Sequence, residues 1–189
     1  MVAEKLHEGE RNLLDKYKYT DEEQKKIINS MVVIVDSREK KNDHITAYFD
    51  KHRIKYERRT MTAGDYSFYI EANEELSIPR PIYFDKSIFI ERKANLEELS
   101  LNLTSGRTRF EEEFSLNPKT KKYLLIENAN YYDLVNGNYD SKYNSKAYLG
   151  SLHSFNHKYN LEIVFMPNNQ FSAIYILGVF QYYLKNLIK

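Results

Sequence analysis

Ser87-Ile88-Phe89-Ile90-Glu91-Arg92-Lys93 carries an apolar run straight into an acid and two bases. In an extended strand successive side chains alternate between faces. Glu91 and Lys93 then share one face, and Ile90 and Arg92 take the other. A carboxylate and an ammonium on one strand edge can hold a divalent cation and a water together. Glu-x-Lys is also common on solvated strand ends, so the pair needs company. Asp36 ends the run Met31-Val32-Val33-Ile34-Val35, and Asp65 follows Gly64 at what reads as a tight turn. Adjacent strands lie about 4.8 Å apart, so acids at neighbouring strand tips can converge on one ion. Magnesium takes oxygen ligands, commonly one or two carboxylates with substrate phosphate and water. Such an ion activates water and polarises a phosphate. A lysine beside it can orient the water or offset charge building on phosphorus.

The elements that must position these groups follow from the hydrophobic pattern. Met31–Asp36 is a continuous apolar run ended by an acid, the mark of a central strand buried on both faces. Further strands are expected at 54–61, 65–71, 82–92, 123–127 and 161–166. Helices are expected from the Thr20-Asp21-Glu22-Glu23 capping box to about Ile28, from Asn42 to about His52, and from Asn95 through Leu96, Leu99 and Leu103. Ser105-Gly106-Arg107 interrupts that last helix, which restarts over 108–116. Residues 128–144 read as a short helix and loop, 145–159 as an amphipathic helix, and the stretch after Asn168 or Asn169 as a closing helix to about Ile188. The order is βα, a three-strand meander, then αβαβα. That is an α/β protein with a mixed central sheet and helices on both faces. Residues 1–30 read as a helical N-terminal extension with a narrow stripe of Leu6, Leu13, Leu14 and Tyr17, leaving 31–189 as one domain.

Composition narrows the field. The 28 basic and 27 acidic side chains give no global pull toward nucleic acid or membrane, so any DNA-binding surface must be local. No cysteine is present, which excludes disulfides and thiolate metal sites. Of the five histidines, only His153 and His157 have helical i, i+4 spacing, and they read as surface or packing residues. The first ten residues lack a signal-peptide core, and Phe171–Phe180 is too short an apolar run to span a bilayer. A cytoplasmic protein, in a bacterial or phage-infected cell, is the expectation.

Val35-Asp36-Ser37-Arg38-Glu39, Gly64-Asp65-Tyr66, Glu91-Arg92-Lys93 and Gly106-Arg107, in this order, resemble the signature of the XPF-type structure-specific endonuclease domain. That family includes the archaeal Hef nuclease and has the restriction-endonuclease-like fold. The resemblance runs from about Met31 to the C-terminus. It implies metal-dependent hydrolysis of DNA at a branch, flap or fork, in repair, recombination or replication. At matching positions it implies Asp65 and Glu91 as Mg2+ or Mn2+ ligands, Asp36 contributing directly or through water, and Lys93 as the catalytic lysine. Arg38, Glu39, Arg92 and Arg107 would be site supports or phosphate contacts. The family often has an Asp four residues after the lysine; here Glu97 stands there, with Glu98 next. The paired helix–hairpin–helix module that usually follows is not in this sequence. The implied partner is branched DNA, with pairing into a homodimer through the late helices. Two rival readings are a non-catalytic DNA-binding partner subunit and a sequence-reading nuclease of restriction type.

Overall fold

The computed structural model describes residues 14, 17–115 and 117–189; Leu6 and Leu13 of the expected stripe lie outside them. At the centre is β1 (Met31–Asp36), all six residues buried, as its unbroken apolar run requires. It is flanked by β2 (Tyr56–Arg59) in parallel and β3 (Tyr66–Ile70) antiparallel. The expected meander is thus corrected: β1 lies between β2 and β3. The expected strand over 82–92 is two strands, β4 (Ile82–Tyr83) and β5 (Ile88–Lys93). The chain turns between them, with the amides of Ser87 and Ile88 both donating to the Phe84 carbonyl at 2.7 and 2.9 Å. β6 (Lys121–Glu127) and β7 (Leu161–Met166) extend the sheet in parallel with β5. The strand order is β2-β1-β3-β5-β6-β7, with β4 beside β3.

Helices cover both faces. On one, α1 (Asp21–Asn29), α2 (Asp43–Lys51) and α7 (Ser172–Leu187) pack on Val33, Val35, Phe68 and Ile88. Thr20 and Glu23 form the expected capping box of α1, and Ile27 enters this core. Phe68 stacks on Phe84 with ring centres 4.5 Å apart, and Phe180 of α7 adds a third ring at 5.2 Å. On the other face, α3 (Leu96–Leu103), α4 (Arg107–Ser115), α5 (Tyr131–Asn136) and α6 (Ser145–Tyr159) close over Ile34, Phe89, Leu124 and Ile126. Asn95 caps α3 and Asn144 caps α6 as polar N-cap residues should. Asn42 does not cap α2. Its amide donates to the Tyr66 hydroxyl at 3.0 Å, and its carbonyl accepts from Arg58 at 3.1 Å. Among the described residues, no helix is long and apolar enough to cross a membrane.

Gly64 sets the approach to β3. It sits at φ +72°, and a Cβ there would lie 2.4 Å from Phe89 Cδ2. Left-handed backbone costs a residue with a Cβ about 1–2 kcal/mol, and overpacking about 1–3 kcal/mol more. Gly64→Ala is therefore expected to lower the unfolding free energy by about 2–4 kcal/mol in a urea titration.

Candidate active site

Strand register builds the site. Val35 pairs with Tyr66, and Tyr66 with Ile90. One step along, Asp36, Asp65 and Glu91 are neighbours on three adjacent strand tips, and alternation puts them on one face. The Asp36 amide donates to the Asp65 carbonyl at 2.8 Å, and the Asp65 amide to the Ile90 carbonyl at 2.9 Å. Asp65 Oδ2 accepts the Arg92 amide at 2.8 Å, which aims its carboxylate across the tip of β5. Lys93 lies on the face of Glu91 and donates from Nζ to Glu91 Oε1 at 2.7 Å. Both side chains are buried, at 9% and 7% exposure. Lys93 Nζ also lies 3.9 Å from Glu98 and 5.1 Å from the centre of the Phe110 ring.

The charges do not balance. Burial, and then the charge of Glu91, push the Asp65 carboxyl well above the usual carboxylate range, against the Arg92 amide that pulls it down. Glu113 of α4 approaches the same cluster. Burial, and then Glu91, push it up to about 7, while Lys93, Arg109 and Arg38 pull it down. Burial works against the Lys93 ammonium, yet Glu91, Asp65 and Glu98 together hold it above the usual lysine range. One lysine thus faces several acids, an arrangement that an added divalent cation would relieve. Among the described residues no three His, Cys, Asp or Glu side chains stand at ligand spacing. A two-carboxylate set of hard oxygens still suits magnesium or manganese, which fill their remaining positions with water and substrate phosphate.

Three of the expected site residues have other contacts. Asp36 lies in the row of acids, but its oxygens are already taken. Oδ1 accepts from the Arg38 amide at 2.7 Å and Arg38 Nε at 2.9 Å; Oδ2 accepts from Arg38 Nη2 at 2.9 Å and the Met61 amide at 2.8 Å. It clamps two loops together, and these contacts hold its carboxyl below the usual range although burial opposes them. Arg107 faces α6, where it donates to Glu111 at 2.9 Å and Ser151 at 3.3 Å and lies over Phe155. Glu97 turns away to accept the Asp140 amide at 2.7 Å. Glu98, one residue on, is the acid near Lys93.

Arg92 projects to the opposite face from Glu91 and joins three segments. It donates to Glu127 of β6 at 2.6 Å, to Glu39 at 3.0 Å and to the Lys41 carbonyl at 3.0 Å. Glu127 in turn meets His44 of α2 at 2.8 Å. Glu39 and Arg92 therefore support the site from behind it. In front opens a cleft of about 260 Å³ lined by Arg38, Thr62, Arg109, Glu112 and Glu113. Arg109 and Thr62 were not singled out from the sequence, where Glu111, Glu112 and Glu113 read as a solvated helix face with one of them in reach of the metal shell. Arg109 and Glu113 are four apart on α4 and so share a face. That spacing is visible in the sequence, but which way α4 turns is not.

An ERCC4 domain family model matches residues 35–179. Among curated proteins, none matches the sequence. Two solved structures resemble the chain: XPF from Aeropyrum pernix, with TM-score 0.56 and 15% identity, and XPF from Aeropyrum pernix in complex with DNA, with TM-score 0.57 and 16% identity. Each match covers 82% of this chain and 66% of the other, so the chain spans slightly less than two thirds of those structures. At this identity the likeness is one of fold: the restriction-endonuclease-like mixed sheet with helices on both faces.

Proposed function

The chain belongs to the ERCC4 domain family, and on that premise we propose that it is a divalent-cation-dependent endonuclease acting on DNA phosphodiesters at branched, flap or fork structures. The observation that carries this reading is the contact of Lys93 with Glu91, beside Asp65, on one face of adjacent strand tips. Asp65 and Glu91 would hold Mg2+ or Mn2+. When bound, such an ion supplies Lewis acidity and eases deprotonation of water. Glu91 fixes the Lys93 ammonium so that it meets the attacking water or a non-bridging phosphate oxygen with little reorganisation. Arg38, with its side chain 57% exposed, and Arg109 line the cleft and would take flanking phosphates. Residues 31–189 form the nuclease unit in this reading, with α1 bracing it through Ile27. Pairing of two copies through α7, which exposes Ile174 and Tyr182, belongs to the same proposal and is read by sedimentation.

The test is a panel of single-strand, duplex, flap, fork and four-way DNA with magnesium or manganese. Cleavage confined to junction substrates supports the reading. Cleavage of linear duplex at one sequence favours a restriction-type enzyme, and binding without cleavage favours a non-catalytic partner subunit. Lys93→Ala is expected to lower the cleavage rate about 10²–10³-fold, the usual scale for losing one preorganised donor at a developing charge. Full activity in Lys93→Ala would remove this lysine from the chemistry.

A further inference from the structure

On the other side of α4 from that cleft, a cavity of about 290 Å³ opens between the ends of α4 and α6 and the start of β6. Phe114, Pro118, Lys122, His157 and Tyr159 line it. Lys122 is only 2% exposed, and among the described residues no hydrogen bond or ion pair reaches its ammonium. Burying a charge without a partner is costly, and burial pushes this ammonium below the usual lysine range. The Tyr159 hydroxyl is also buried and meets no partner at hydrogen-bond geometry. His157 stands at the rim with no hydrogen bond among the described residues. Glu111 is the carboxylate nearby, and it is committed to Arg107 at 2.9 Å and Lys158 at 3.1 Å. Lys122, with no partner among the described residues, thus shares a cavity with Lys158 and with the Tyr159 hydroxyl, which Lys158 and Glu111 approach.

We propose that this cavity binds a phosphate monoester, with its oxygens on Lys122, Tyr159 and His157 and its organic group against Phe114 and Pro118. The ligand is a free mononucleotide or the phosphorylated end of a nucleic-acid strand, which share this chemistry. A dianion placed there partners the lysine and turns its desolvation from a cost into a strong contact.

Calorimetry on the full chain without divalent metal tests this. The probes are thymidine 5′-monophosphate, thymidine, and a short thymidine oligonucleotide with and without a 5′-phosphate. The monophosphate is expected to bind and thymidine not. Lys122→Met, which suits the apolar walls, is expected to weaken the monophosphate at least about tenfold, as loss of one charged hydrogen bond does. Tighter binding of the phosphorylated oligonucleotide than of the monophosphate assigns the pocket to strand ends; the reverse assigns it to free nucleotides. Should Lys122→Met fail to fold by circular dichroism, Tyr159→Phe and His157→Gln replace it, and each is expected to weaken binding a few-fold. Thymidine binding as well as its monophosphate, or affinity unchanged in the folded variants, overturns the proposal. No cleavage is required, so the outcome is independent of the nuclease reading.

Discussion

Arg92→Ala is expected to lower the unfolding free energy by about 3–5 kcal/mol, read as an earlier urea midpoint, because it strands buried charge. Arg92 is 3% exposed and Glu127 only 1%, and they meet at 2.6 Å. Burial works against the guanidinium, but Glu39 and Glu127 keep it charged. Removing it leaves Glu127 with His44 alone and releases Glu39 and the Lys41 carbonyl on the loop after β1. The loss comes from the orphaned partners, not from the ion pair as such. A double replacement, Arg92→Met with Glu127→Leu, should therefore cost less than Arg92→Ala alone. A double variant as unstable as the single one, or more so, would show that the pair itself supplies the stability.

Asp65→Asn is expected to reduce cleavage about 10³-fold or more and, without metal, to raise stability by about 1 kcal/mol. Both effects have one cause: a carboxylate held beside Glu91 in a buried site. The sign follows from proton binding. The folded Asp65 takes up its proton at a higher pH than the unfolded chain, whose aspartates titrate near pH 3.9. Above that value the folded state holds a proton the unfolded state has released, so stability falls as pH rises until the folded group also ionises. The variant lacks this loss. The stability difference between Asp65→Asn and the parent should therefore grow with pH from about 4 upward. Addition of Mn2+ should raise the melting temperature of the parent and not of the variant. Equal metal protection of both would place the ion elsewhere.

Glu91 and Lys93 were legible in the sequence because they lie in an apolar strand run, where alternation fixes a face without knowledge of the fold, and Asp65 because it follows Gly64 at the turn into β3. Their proximity needed only that β3 lie beside β5. Asp36 was placed correctly on its strand tip, but the strand pattern does not say that Arg38 curls back onto it. Arg107 and Glu113 sit on α4, and their directions depend on how that helix rolls over Phe89 and Phe155. Glu97 and Glu98 differ by one position on α3, about 100° of rotation, so sequence spacing could not choose between them. The split between β4 and β5 falls at Asp85-Lys86-Ser87, a polar break that a single strand over 82–92 passes over.

The row across β1, β3 and β5 draws its acids from positions 36, 65 and 91. Nothing in the first of these segments can assemble the row before the last has been synthesised. Pairings between distant segments form late compared with local helices. In the proposed reading, a ribosome-bound fragment lacking β5 is harmless to nucleic acid, and cutting competence arrives only once the sheet has closed around all three tips.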